Sequence, residues 1–262
     1  MATYTGYADK KTGIEVLVLP ALDDNFIYAL VANDQAVVID PADAATVLRF
    51  VRARRVKLTH ILATHHHMDH VAGIPDVKTA TRCRVIGPLD PRIPQMDESV
   101  GDGDTVQADP FVLDVIAAPG HSHTHIVFHD RKRRLLWSGD TMFGAGCGRL
   151  FDCPAELMWN SLNKLAAMAD DTLVFFGHEY TEENLRFAAS VEPGNPDIEA
   201  RREQVRKLRE AGKPTAPSTI GLEKKTNPFL RADTPAIRRT LNMNGAPAVQ
   251  VFAELRRRKD AF

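Results

Sequence analysis

Cysteine is scarce: the 262 residues hold three, Cys83, Cys147 and Cys153, with no Cys-x-x-Cys spacing. That count excludes a disulfide-stapled scaffold and a thiolate zinc site, and it fits reduced thiols in a cytosolic protein. Long hydrophobic runs are missing too. The best apolar stretches, such as Ile14 to Leu22, are strand-length, well short of the roughly 18 residues that span a bilayer. Residues 1–11 hold no apolar core of a secretory signal, so a cytoplasmic chain without a membrane partner is expected. There is no internal repeat and no low-complexity tract. Neither sign of charge dominates, with 33 Lys and Arg against 34 Asp and Glu, and 44% of residues are hydrophobic. Disorder and fibrous architectures are therefore excluded.

The charge is uneven along the chain. Residues 197–262 carry 15 basic and 8 acidic side chains, so an acidic body precedes a basic tail. Such a tail fits an anionic partner, and it fits solvated helix faces equally well.

Apolar runs bounded by turn residues predict strands at Ile14–Pro20, Phe26–Ala32, Ala36–Asp40, Thr59–Thr64, Arg84–Ile86, Phe111–Ala117, Ile126–His129, Leu135–Ser138 and Leu173–Phe176. Helical patterns fall at Ala42–Arg54 and at Pro154–Met168, the second with Asp152 as its expected cap. After Tyr180 the strand signals stop. Helices are expected at Thr181–Ser190, Pro196–Ala211, Pro235–Leu241 and Ala248–Lys259, with a loop at Lys213–Ser218. The layout is an α+β body, residues 1–180, followed by a helical domain, residues 181–262.

Ten histidines are present, and all but His178 lie between His60 and His129. Four of them fall in His65-His66-His67-Met68-Asp69-His70, directly after a predicted strand, at the edge where α/β proteins place their sites. In extended backbone His65 and His67 project to one side while His66 projects away, and Asp69 and His70 follow as the chain turns. Imidazole and carboxylate together suit zinc, iron or manganese. Further donors are expected from Pro119-Gly120-His121-Ser122-His123-Thr124-His125, Ser138-Gly139-Asp140-Thr141 and Phe176-Gly177-His178-Glu179-Tyr180, each after a predicted strand. Spacing alone leaves His121, His123 and His125 equivalent. His60 and His129 lack such a context and read as structural.

The run HHHMDH followed by PGH, SGDT and GHEYT resembles the metallo-β-lactamase superfamily. Within it, GHEYT, the GAGCGR loop and the closing RRRKDAF are similar to the glyoxalase II family. That resemblance implies an αββα sandwich followed by a C-terminal all-helical domain. It implies one metal on His65, His67 and His121, a second on Asp69, His70 and His178, and Asp140 bridging, with His125 in support. The cofactors implied are two divalent ions, zinc first, with iron or manganese as alternatives. Such ions lower the pKa of bound water from 15.7 towards roughly 7 and polarise a carbonyl, which suits hydrolysis of a thioester. A thiolate leaves readily, and the chain has no GxSxG nucleophile elbow.

The implied substrate is S-D-lactoylglutathione, a small molecule, with D-lactate and glutathione as products. Arg149, Tyr180, Arg256 and Lys259 match positions that hold glutathione, so the basic tail gains a specific explanation. Two departures stand out. Phe151 replaces a tyrosine of many members, and Arg149 replaces a lysine, which changes a point donor into a planar fork. A monomer is expected, with no nucleic-acid partner. The rivals are a one-iron glutathione persulfide dioxygenase, set aside on the basic helical tail, and a superfamily nuclease, set aside on the near-neutral charge.

Overall fold

The computed structural model describes residues 3–262, which divide into two compact units. One runs to Ala117 and includes Thr124–Gly139; the other comprises Ala118–His123 and Asp140–Phe262.

The first unit contains β1 (Tyr4–Asp9), β2 (Ile14–Ala21), β3 (Asn25–Ala32), β4 (Gln35–Ile39), α1 (Ala44–Arg54), β5 (Lys57–Leu62), α2 (Met68–Val71), α3 (Ile74–Thr81), β6 (Arg84–Gly87), β7 (Glu98–Ser99), β8 (Thr105–Ala108), β9 (Phe111–Ala117), β10 (Ile126–Asp130) and β11 (Leu135–Gly139). Strands β1 to β7 form one sheet in sequence order, antiparallel from β1 to β4 and parallel from β4 to β7. Strands β8 to β11 form an antiparallel meander.

The sheet's apolar residues explain its placement. Every residue of β3 is buried, the pattern of a strand covered on both faces. Leu17, Leu19, Ile27, Val38 and Ile61 pack with Val47 and Phe50 of α1 and with Ile74 and Val77 of α3. Helix α1 starts where Asp43 accepts hydrogen bonds from the Ala45 and Thr46 amides, and it ends at Arg55 in the left-handed region.

The parallel register brings the C-terminal ends of β4, β5 and β6 to one edge. Strand β3 runs antiparallel to β4, with Tyr28 opposite Ile39, so the β2–β3 hairpin opens at the same edge. That edge carries Asp40, the His65–His70 loop and Asp90.

The second unit contains β12 (Met142–Phe143), β13 (Gly146–Cys147), α4 (Ala155–Ala166), β14 (Leu173–Phe176), α5 (Thr181–Val191), α6 (Pro196–Glu210), β15 (Ser218–Thr219), α7 (Ile220–Thr226), α8 (Pro235–Leu241) and α9 (Ala248–Asp260). Strands β12 and β13 pair as a short hairpin, and β14 pairs antiparallel with β15. Trp159, Phe252, Phe229 and Phe187 pack ring to ring between 5.7 and 6.0 Å as an aromatic spine. Helix α6 begins at Asn195, whose side chain caps the Asp197 and Ile198 amides ahead of Pro196 at the first turn. No helix among the described residues is long and apolar enough to cross a membrane.

All nine expected strands and all six expected helices are present, within two residues at almost every boundary. Elements that the pattern did not announce are α2, α3, α7 and the strands β1, β7, β8, β12, β13 and β15. The cap of α4 also differs: the N-cap is Pro154 at φ −67° and ψ 153°, with no side-chain cap bond, rather than Asp152.

Candidate metal centre

In the first unit the donors come from the loop after β5. His67 sits at the start of α2 with extended backbone, φ −61° and ψ 141°, so the chain turns helical just in time to present Asp69 and His70. His65 Nε2 and His67 Nδ1 lie 3.1 Å apart. His66 turns elsewhere, with its Nδ1 3.3 Å from Asp90 Oδ2.

Buried hydrogen bonds fix which nitrogen each ring presents. The Thr64 hydroxyl donates to Asp40 Oδ2 at 2.7 Å and therefore accepts from His65 Nδ1 at 3.0 Å, which leaves His65 Nε2 as a lone-pair donor. Asp40 also accepts from the Thr64 amide at 2.8 Å and from His70 Nδ1 at 3.0 Å. His70 Nε2 is thereby turned into the site, 3.8 Å from Asp69 Oδ2. Asn25 of β3 holds Asp69 from the other side, donating to its carbonyl at 2.9 Å and to Oδ2 at 3.2 Å. Ligand atoms of Asp40, His65 and His70 all lie within 4.8 Å of one another.

His125 is buried and stacks on His65 with ring centroids 4.8 Å apart and planes at 23°. Gly139 allows that stack. Its φ is +48°, and a Cβ there would lie 2.6 Å from Thr64 Oγ1 and 2.8 Å from His125 Nε2.

Within the second unit, His121, Asp140 and His178 stand together. Both His121 Nε2 and His178 Nε2 stand 3.3 Å from Asp140 Oδ2. His121 Nδ1 donates to the Arg149 carbonyl at 2.9 Å, so neutral His121 presents a lone pair to a carboxylate oxygen. Two acceptors held face to face are what a cation joins, and this donor set fits a divalent metal. His178 is stacked on Tyr180 at 4.8 Å with nearly parallel planes, and Phe143 stands edge-on to both. Gly148 is the close approach in this unit: a Cβ would fall 2.1 Å from the Asp140 carbonyl and 2.8 Å from His121 Nδ1.

The side chains expected to hold glutathione divide into exposed and built-in groups. Arg149 and Phe151 are exposed, and the Phe151 ring stands edge-on to His121 at 5.3 Å. Lys259 bonds Glu183 and lies 5.7 Å over Phe262, and the ammonium holds the Glu183 carboxyl below its usual range. Arg256 is buried. It donates to the Cys147 carbonyl at 2.8 Å, pairs with Asp260 at 2.9 Å and lies 5.0 Å over Phe229. Burial pushes the Cys147 thiol up to about 11, which removes it as a nucleophile near neutral pH.

Sequence reasoning missed Asp40, Asn25 and Glu223. Buried Glu223 accepts from the Ala145 amide at 2.8 Å and from Arg201 at 2.6 Å, fixing the turn between β12 and β13. Asp40 follows a parallel strand on the same edge as the histidines, and that position was its one available signal.

The class of protein follows from sequence and shape together. Residues 22–178 match the family described as metallo-β-lactamase superfamily. The fold is similar to a crystal structure of BLEG-1 B3 metallo-β-lactamase, with a TM-score of 0.58 and 21% identity over 87% of this chain and 99% of that one. It is also similar to ETHE1 from Myxococcus xanthus, with a TM-score of 0.60 and 21% identity over 100% and 99% of the two chains. These likenesses show the fold alone.

The tail's sequence is more specific. Residues 179–262 match the family described as hydroxyacylglutathione hydrolase C-terminus. A hydroxyacylglutathione hydrolase of Methylococcus capsulatus is 44% identical over 95% of this chain and 99% of its own length. One of Rhizobium etli is 48% identical over 86% and 88%. The chain belongs to the hydroxyacylglutathione hydrolase, or glyoxalase II, family of the metallo-β-lactamase superfamily.

Proposed function

We propose that the protein hydrolyses S-D-lactoylglutathione to D-lactate and glutathione, as a binuclear thiolester hydrolase. The observation that carries this reading is the pair of family matches that together cover residues 22–262, over a chain with every ligand position filled. One ion is assigned to His65, His67 and His121, the other to Asp69, His70 and His178, with Asp140 shared. Zinc is the first candidate and iron or manganese the alternatives, because histidine and carboxylate suit all three.

When bound, the ions supply a water ionised near neutral pH and a Lewis acid for the thioester carbonyl. The chain's own residues do the rest. Asp40 and Thr64 fix the tautomers of His70 and His65, so the donor nitrogens are ready without rearrangement. Asp69 and Asp140, the carboxylates of the assigned ligand set, would orient the attacking water by hydrogen bonding and charge. The carbon–oxygen bond forms first, moving the carbonyl pair onto oxygen, and the return of that pair breaks the carbon–sulfur bond. The thiolate then leaves without a general acid, since its thiol has a pKa near roughly 8.5.

Arg149, Lys259 and Arg256 supply the positive charge for the glycine carboxylate of glutathione, with Tyr180 and Phe151 lining the same pocket. On this reading residues 1–180 carry the metals together with Arg149, Phe151 and Tyr180, and residues 181–262 add Arg256 and Lys259. The test is metal content per chain, with thioester hydrolysis measured on the same preparation. Two metals per chain and chelator-sensitive loss of the thioester support the reading. One iron with oxygen uptake on glutathione persulfide refutes it.

A further inference from the structure

Three of the six large apolar side chains left exposed among the described residues sit around the His65–His70 loop: Leu22, Met68 and Leu89, at 59%, 68% and 76% exposure. Scattered exposed leucines need no explanation. These are not scattered. Leu22 lies in the β2–β3 hairpin, which touches Asp69 through Asn25. Met68 stands between His67 and Asp69 in the chain. Leu89 precedes Asp90, whose carboxylate faces His66. Strand register brings all three connections to the same edge of the sheet.

Two of the three are also held outward at a cost or by design. Leu22 has φ +50°, a left-handed conformation that favours glycine, asparagine or aspartate over a branched side chain. Asp90 is buried and fixed by Arg92 at three atoms and by Thr124 at 2.7 Å, so Leu89 is presented from a rigid support. A lactoyl group offers little apolar surface for three such side chains.

We propose that Leu22, Met68 and Leu89 form an apolar rim that binds the acyl group of the thioester, and that the substrates of this enzyme extend to S-acylglutathiones with longer, apolar acyl chains. This rests on the thiolester hydrolase reading above. Each methylene that leaves water on such a rim gains about two- to fourfold in kcat/KM, up to the point where the rim is covered.

The test uses the metal-loaded full chain and reads one ratio, kcat/KM for S-hexanoylglutathione over that for S-D-lactoylglutathione. Leu22→Asn suits the left-handed position, so its Tm is expected to equal or exceed the wild-type value while the ratio falls about threefold. Adding Leu89→Ser lowers the ratio about tenfold, and Leu22→Met with Leu89→Met restores most of it. A ratio within about twofold of wild type in the Leu22→Asn, Leu89→Ser chain overturns the rim and leaves the hydrolase reading intact. A wild-type chain that cleaves neither thioester overturns both.

Discussion

The Nδ1 of His121 lies 2.9 Å from the backbone carbonyl of Arg149, so the loop that carries the arginine also sets the face His121 turns to Asp140. The side chain of Arg149 takes no part in that bond. Its loss and the loss of its neighbour Gly148 therefore have separable consequences. Arg149→Ala is expected to keep metal content and kcat and to raise KM about five- to tenfold, the effect of removing uniform substrate binding. Gly148→Ala drives a Cβ against the Asp140 carbonyl and the His121 ring, and is expected to lower bound metal and kcat together. Metal analysis beside steady-state kinetics on both variants checks the pair; equal metal loss in both would refute the division.

Asp140 accepts the approach of two histidine nitrogens on one oxygen, His121 and His178, each at 3.3 Å. Asp140→Ala is expected to lower metal content and turnover in parallel. Full metal content with full activity in this variant would sink the shared-ligand assignment.

Asp40 works one bond further out. It holds Thr64 and His70 by three hydrogen bonds in a buried setting. Asp40→Asn replaces an acceptor with a donor facing the His70 Nδ1 proton. Metal affinity is expected to fall about 10- to 100-fold, as for other supports of histidine ligands. Competition with a coloured chelator measures it, and unchanged affinity would show that Asp40 serves folding alone.

The histidines were legible because HxHxDH places unlike side chains at a spacing with one use, and GHEYT and RRRKDAF then narrowed the family. Asp40 was not legible, since an aspartate ending a buried strand resembles any turn aspartate until the parallel register sets it beside His70. Strand β1 alternates weakly, with half-exposed residues on both faces, and α3 is eight residues long with Pro75 in its first turn. Periodicity over so few residues carries little signal. Arg256 illustrates another limit: the resemblance placed it at the glutathione site, but nothing in a run of three arginines showed that this one is buried against Phe229 and the Cys147 carbonyl.

The cap of α1 provides a pH-dependent prediction remote from the metals. The Thr46 hydroxyl bonded to Asp43 holds that carboxyl below its usual 3.8, outweighing the effect of burial. A depressed folded value contributes stability above the unfolded pKa and loses it as the pH falls through the folded one. Asp43→Ala is expected to cost about 1 kcal/mol near pH 7. The difference from wild type should shrink once the pH drops below about 4. Denaturant unfolding across pH 3 to 7 measures it, and a constant difference would exclude the charged cap.

Arg256 and Lys259 share a helix and an expected ligand, but their surroundings set them apart. Lys259 reaches Glu183 and a terminal ring, contacts that a substrate carboxylate can replace without disturbing the core. Lys259→Ala is expected to raise KM about tenfold, with Tm and kcat near wild type; tenfold corresponds to about 1.4 kcal/mol of binding. Arg256 is buried, and its guanidinium holds the carbonyl of Cys147, two residues before Arg149. Arg256→Ala leaves that carbonyl and Asp260 without their donor, and is expected to cost about 2–4 kcal/mol in stability as well as raising KM. Arg256→Lys keeps the charge but not the fork, so it should recover part of the binding and little of the stability. Thermal unfolding and KM measured on the three variants decide the matter. A Tm unchanged in Arg256→Ala would make the arginine a pure substrate contact, and a KM unchanged in Lys259→Ala would remove the lysine from the glutathione site.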